Sequence, residues 1–292
     1  MGELLKRMLS PEVLNRAWRE LGSDHAVWEA GMPRSEMERN LLLHLLRLLG
    51  DVRAGRYRPE PLRRFPIAKA DGRQRVLSAL CLRDKLLQKA THIVLEPDAE
   101  RLFHHDSYAY RPRRNVEMAL KCARERIACG LSWLVDADIR SFFDSIPIKP
   151  LRQRLKAFIK DRELMRLVDL WLDLGASHAS FFSAPRGIAQ GAILSPLFCN
   201  LYLHDFDQAL HDKKVPFVRY ADDFLLFAAD EQGARRAHDY AAELLNRLDL
   251  DLNTEKTRIT LSGPHVHFLG ERLPSYNPRK APKKARAPSS DA

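Results

Sequence analysis

Two acidic segments contain residue types suited to holding a hard cation. Asp136-Ala137-Asp138 opens a run that ends at Asp144, and about eighty residues further on Tyr220-Ala221-Asp222-Asp223 supplies more carboxylates. Each segment follows an apolar stretch of strand character, so each would deliver its acids to the end of a sheet, where a rigid backbone sets their separation. Carboxylates on two neighbouring strands would suit Mg2+, which takes oxygen ligands and keeps part of its water shell. A pair of such ions about 3.5–4 Å apart activates an attacking hydroxyl and stabilises a leaving oxygen, which is phosphoryl-transfer chemistry. Alone, an Asp-Asp pair serves turn geometry. The order of several segments along one chain argues for more. Asp136 shares a strand face with Asp138 by the period of two, so the pattern leaves it open as a further ligand.

Other residues suit the same chemistry. Phe143 lies five positions past Asp138, where a flat ring can collide with a sugar 2′-hydroxyl or simply fill the core. Gln190 and Gly191 fall in a glycine-containing loop, whose backbone a base or sugar can approach closely. Lys69, Arg73 and Arg75 belong to a short strand pair; the forked guanidinium of Arg75 suits phosphate oxygens, while Arg73 equally suits a solvated strand face. Lys256 can bring charge or a proton to a phosphate, or be an ordinary surface lysine before a strand. His104-His105 and the alternating His265 and His267 have no cysteine or carboxylate at a helpful spacing and read as core or solvated histidines.

The elements that must position these residues follow from periodicity. A leucine-rich helix is predicted from Ser35 to Gly50, with Ser35 and Glu38 in capping-box spacing and Gly50 as its stop. A strand pair follows around Arg64–Leu77, turned at Asp71-Gly72. Helical spacing recurs over 82–95, 115–129, 149–174 and 232–248, and a helix restarts near Ser195-Pro196, since Pro is tolerated in a first turn. Strands are predicted at Trp133–Ile139, at two short runs joined by a tight turn within Phe217–Ala229, and near 257–261 and 265–273. Phe181–Gly191 reads as a loop, and Pro274–Ala292 as a disordered basic tail.

With 292 residues, 45% hydrophobic and 29% charged, the chain can bury a core in one large domain or two small ones. Its net charge of +10 suits nucleic acid or an anionic membrane surface as partner. No apolar run approaches the roughly 18–20 residues of a membrane span, and Met1–Ser10 lacks a signal-peptide core. A soluble cytoplasmic protein with no membrane partner is expected. Cys81, Cys122, Cys129 and Cys199 lack the paired spacing of a zinc site and read as reduced thiols.

From about Phe65 to Leu273 the chain resembles the reverse transcriptases, specifically the bacterial lineage that includes group II intron and CRISPR-associated enzymes. Asp138-Ile139-Arg140-Ser141-Phe142-Phe143-Asp144 looks like the first palm motif, Gln190-Gly191-Ala192-Ile193-Leu194-Ser195-Pro196 matches QGxxxSP, and Tyr220-Ala221-Asp222-Asp223 matches the YxDD box. Leu252-Asn253-Thr254-Glu255-Lys256-Thr257 resembles the next palm motif and His267-Phe268-Leu269-Gly270 the primer grip. Ser107-Tyr108-Ala109-Tyr110-Arg111-Pro112 is similar to the SYGFRP segment, with Ala109 for Gly and Tyr110 for Phe. Ser195-Pro196 sides with the intron and CRISPR-associated group, because diversity-generating enzymes usually carry Gln after that Ser.

The resemblance implies an α+β right-hand polymerase core whose palm is an antiparallel sheet backed by helices. It implies metal ligation at Asp138, Ile139, Asp222 and Asp223, with Mg2+ as a pair of ions and Mn2+ as a substitute. Lys256 would protonate departing pyrophosphate, Phe143 would exclude ribonucleotides, Gln190 and Gly191 would line the nucleotide and template pocket, and Lys69, Arg73 and Arg75 would grasp the triphosphate. The expected organisation is an N-terminal helical extension over 1–56, fingers and palm-flanking helices over 57–131 and 147–184, palm over 132–146 and 185–273, and the tail beyond. The expected activity is RNA-templated DNA synthesis from a DNA or RNA primer with dNTPs, in a retroelement, CRISPR or phage-defence setting. A template-independent or protein-primed polymerase and a non-catalytic RNA-binding scaffold are the alternatives. About twenty residues follow Leu273, so the thumb is expected to be absent or vestigial, its work done by a partner protein, a structured RNA or the chain's own N-terminal helices.

Overall fold

The computed structural model describes residues 1–22, 24–68, 74–177 and 183–278, Gln74 and Arg75 by their backbone alone. Lys69, Arg73, the Asp71-Gly72 turn, the start of the Phe181–Gly191 loop and the tail from 279 lie outside the described residues. In chain order come α1 (Glu3–Met8), α2 (Pro11–Leu21), α3 (Arg34–Arg39), α4 (Leu41–Arg53), β1 (Arg63–Ala68), β2 (Gln74–Ala79), α5 (Leu82–Leu102), α6 (Val116–Ala128) and β3 (Trp133–Asp138). Then follow α7 (Phe142–Ser145), α8 (Ile148–Phe158), α9 (Arg162–Gly175), α10 (Ser195–Asp212), β4 (Phe217–Tyr220), β5 (Asp223–Ala228), α11 (Glu231–Arg247), β6 (Arg258–Leu261), β7 (His267–Phe268) and β8 (Glu271–Arg272). Among the described residues no helix is long and apolar enough to cross a membrane.

The packing divides the chain into two compact units, Met1–Phe103 with Ser141–Leu203, and His104–Arg140 with His204 onward. The first unit is mostly helical and carries the β1–β2 hairpin, paired antiparallel from Arg63↔Ala79 to Ala68↔Gln74. Its N-terminal segment is tied to α9 through Asp161, whose carboxylate accepts from Leu5 N at 2.9 Å while also capping α9 at Glu163 and Leu164. Asp84, fully buried on α5, accepts from the Tyr57 hydroxyl at 2.6 Å and from Glu60 N at 2.8 Å.

The second unit is built on a sheet of order β4-β5-β3-β6, antiparallel throughout. Leu134, Leu225, Phe227 and Val218 pack with Ala119, Leu120, Ala123 and Ile127 of α6 into one core. By strand alternation Asp136 and Asp138 share the face of Leu134, so the acids lie further along the face whose near end is this core. α11 packs on the sheet with Ala234, Ala237, Ala241, Leu244 and Leu245 buried, and Phe206 of α10 meets Phe224 edge-on.

Three expectations change at helix boundaries. The predicted 35–50 helix is two helices separated at Asn40, whose φ of −130° and ψ of 41° are not helical. Ser35 lies inside α3, with Pro33 at its N-cap, so the capping box does not form. The chain stays helical through Gly50 to Arg53, and the left-handed residue that ends it is Gly55, at φ 69°. The 149–174 stretch likewise breaks where Asp161 caps a new helix, a choice made by its side-chain acceptor and not by apolar spacing. The helix predicted over 82–95 continues past Pro97 to Leu102, with Ala99 fully buried.

Candidate active site

Antiparallel pairing places Asp138 directly opposite Asp223. Ile139 N donates to Asp222 O at 3.2 Å, which makes Asp138 and Asp223 a pair not bonded to each other through the backbone. Such pairs hold their Cα atoms about 4.5 Å apart, closer than bonded ones, with both side chains on one face. The turn Tyr220-Ala221-Asp222-Asp223 joins β4 to β5 with Ala221 left-handed at φ 62°, the first central residue of a two-residue hairpin loop. Three carboxylates from two distant parts of the chain thus meet at the end of two adjacent strands.

Crowding is visible in their acidity. Burial, and after it the charges of Asp138, Asp222 and Asp136, pushes Asp223 up to about 7. Burial also lifts Asp136 to about 6; Arg258, its register partner on β6, opposes the rise and Asp138 adds to it. An all-oxygen donor set whose members repel one another fits a divalent cation, which removes the repulsion on binding.

Two residues from the 252–257 segment grip Asp138. Asn253 Nδ2 donates to Oδ1 at 3.1 Å, Lys256 Nζ donates to Oδ2 at 2.9 Å, and Asn253 N donates to Asp138 O at 2.8 Å. The bond to Asp138 raises Lys256 above an ordinary lysine, with partial burial opposing. The sequence marked Lys256 but gave Asn253 no role of its own; its place in the same short segment as the lysine was the available signal. Arg219, to which the sequence assigns nothing beyond a place in the first short strand of Phe217–Ala229, is fully buried and its guanidinium bonds Asp207 on α10.

The remaining candidates belong to the first unit. Ser78 N, on β2, donates to Gln190 O at 2.7 Å, and Gln190 Nε2 donates to both carboxylate oxygens of Asp144 at 3.1 Å. Gly191 has φ 100°, and a Cβ there would stand 2.7 Å from Ser78 O, so both conformation and close approach require glycine. Ser195 Oγ closes the loop on Ala189 O at 2.7 Å. Phe143 is half-buried, edge-on to the buried Phe142 at 5.9 Å between ring centroids. Arg75 is on β2, opposite Ile67.

His104, His105 and Asp106 form a cluster with ligand atoms within 4.8 Å of one another, so a carboxylate does stand beside these histidines. Its bonding is already committed elsewhere. His104 Nδ1 accepts from Asp106 N at 3.1 Å, its Nε2 meets His211 Nδ1 at 3.1 Å, and Arg126 donates to the Asp106 carboxylate. A guanidinium on the one acid, and an Nδ1 used as acceptor, oppose a cation there. Burial lowers His104, keeping it neutral.

Residues 67–273 match the family described as reverse transcriptase (RNA-dependent DNA polymerase). Protein YkfC of Escherichia coli K12 is 30% identical, aligned over 92% of this chain and 82% of its own. The group II intron-encoded protein LtrA of Lactococcus lactis subsp. cremoris is 26% identical over 91% of this chain; the chain spans 56% of that longer protein. An apo telomerase from Candida tropicalis shares the fold at TM-score 0.54 and 13% identity, over 72% of this chain and 46% of its own.

Proposed function

The chain belongs to the reverse transcriptase family of RNA-dependent DNA polymerases, and from that premise we propose that it extends a primer 3′-hydroxyl with dNTPs on an RNA template, at Asp138, Asp222 and Asp223. The pairing of Asp138 with Asp223, with Asp222 beside them, carries this reading. These carboxylates, with the Ile139 carbonyl adjacent in sequence, would hold Mg2+, or Mn2+ in its place. Bound ions would polarise the attacking hydroxyl and offset charge on the leaving pyrophosphate.

Within that reading the chain's own groups divide the work. Lys256, which donates to the Asp138 carboxylate, would give a proton to the leaving oxygen. Asn253 fixes the Asp138 carboxylate plane from the opposite oxygen. Phe143 would face the sugar 2′ position, the Gln190-Gly191 loop would shape the nucleotide pocket, and Arg75 with Lys69 and Arg73 would grasp the triphosphate. The net charge of +10 supports tracking of a primer–template duplex along its phosphates. The setting would be a group II intron-like retroelement or one of its CRISPR-associated or defence relatives.

The test is extension of a labelled primer on an RNA of defined sequence, with Mg2+ and dNTPs, followed by sequencing of the product. A complementary product that disappears in Asp222→Ala is expected. Product unrelated to the template would instead establish untemplated synthesis, and activity unchanged in Asp222→Ala would remove the carboxylates from the chemistry.

A further inference from the structure

We propose that Arg219 is a positioning residue of the carboxylate turn, holding the Ala221–Asp222 peptide so that the acids present one fixed geometry to the cation. The proposal rests on the assignment of Asp222 and Asp223 as metal ligands.

Arg219 precedes Tyr220 on β4, and its side chain is 0% exposed. Nε donates to Asp207 Oδ1 at 2.7 Å and Nη2 donates to Oδ2, a two-pronged pair in the core. Nη1 donates to the carbonyl of Ala221 at 3.0 Å, and Nη2 donates to Ser107 Oγ at 2.8 Å. The backbone is held as well: Arg219 N donates to Asp106 O and Tyr108 N to Arg219 O, each at 2.9 Å. One guanidinium therefore joins three parts of the chain, α10, the Ser107–Tyr108 segment and the turn.

The target of Nη1 is informative. The Ala221 carbonyl belongs to the peptide that leads into Asp222, and Ala221 is left-handed at φ 62°, a conformation costly for a residue with a Cβ. Ala221 is itself buried, so without this donor its carbonyl would lose its partner out of reach of water. Asp207 neutralises Arg219 at contact distance, so the pair acts on the carboxylates through geometry and not through net charge. Apolar side chains of similar volume often replace a buried ion pair without loss of stability. They cannot supply a forked donor to a carbonyl.

Two variants separate fold from geometry. Arg219→Lys keeps the charge but lacks the fork; Arg219→Met with Asp207→Leu keeps an apolar core. Mn2+ binding by the full chain, without nucleic acid, is read from loss of the free-ion EPR signal, and folding from thermal melts. Cooperative melting with Mn2+ binding weakened about tenfold, equivalent to one lost buried hydrogen bond of ~1.4 kcal/mol, is expected in both. Primer extension should recover toward the native rate as Mn2+ is raised. Native Mn2+ affinity in either folded variant overturns the proposal. So does failure of both to fold, which makes Arg219 a residue of the fold alone. Asp222→Ala is the control: if it binds Mn2+ as the native chain does, the metal assignment falls and this inference with it. If it loses binding while Arg219→Lys keeps it, this inference alone falls.

Discussion

Lys256 donates to Oδ2 of Asp138 across 118 positions of sequence, at 2.9 Å, and so occupies an oxygen that a metal ion would use. The two cations compete for that oxygen. In Lys256→Met, Mg2+ should raise the melting temperature at about threefold lower concentration, since a half-exposed pair is worth up to ~1 kcal/mol. Single-turnover incorporation should fall about 100-fold if the ammonium is the proton donor. Parallel loss of Mg2+ binding and rate would instead mean that Lys256 only holds Asp138 in place.

Asp223 titrates near 7 in the folded protein because burial and its acidic neighbours disfavour its charge. A carboxyl raised in this way contributes stability when protonated. That contribution is complete below the ordinary carboxyl range of about 4 and is lost as pH rises toward 7. Melts in EDTA should show the native chain losing ground to Asp223→Asn between pH 4 and about 7. Saturating Mg2+ should flatten the difference; a pH-independent difference in EDTA contradicts the crowding described above.

Phe143 is left half-buried against Phe142. Phe143→Ala should cost little stability and raise the efficiency of ribonucleotide use relative to dNTPs by about 10- to 100-fold, the scale on which a single pocket contact discriminates. Competition between matched rNTP and dNTP on one template measures it, and unchanged discrimination removes Phe143 from the pocket.

Gly191 allows a close pass that no other residue permits. In Gly191→Ala the new methyl meets Ser78 O at 2.7 Å with the backbone at φ 100°. Urea unfolding should show a loss of about 2 kcal/mol or more, and the KM for dNTPs should rise, because the strained loop carries Gln190. Native stability would mean the loop yields freely.

The acids were legible because their signals are local. An apolar run ending in Asp138, and alternation on both sides of Ala221-Asp222, specify a strand end and a hairpin without knowledge of what packs on them. The close approach at Gly191 was foreshadowed by its residue type. Interruptions were harder to read. Met37 and the leucines after Asn40 keep helical spacing although the chain breaks between them, and Asp161 looks like any polar helix residue until its carboxylate is seen capping α9. The Arg219 network was hidden for a different reason: its partners Ser107 and Asp207 lie 112 and 12 positions away, and a lone Arg in an apolar strand carries no local mark of either. Asn253 acts over 115 positions, equally beyond pattern reading.

The β4–β5 turn has only two residues between paired strands, and the facing acids depend on which side of the pleat each occupies. Inserting or deleting one residue within either strand would send the acid beyond it to the opposite side, with every remaining side chain still of the right kind. In this stretch a change of length does more harm than most changes of letter.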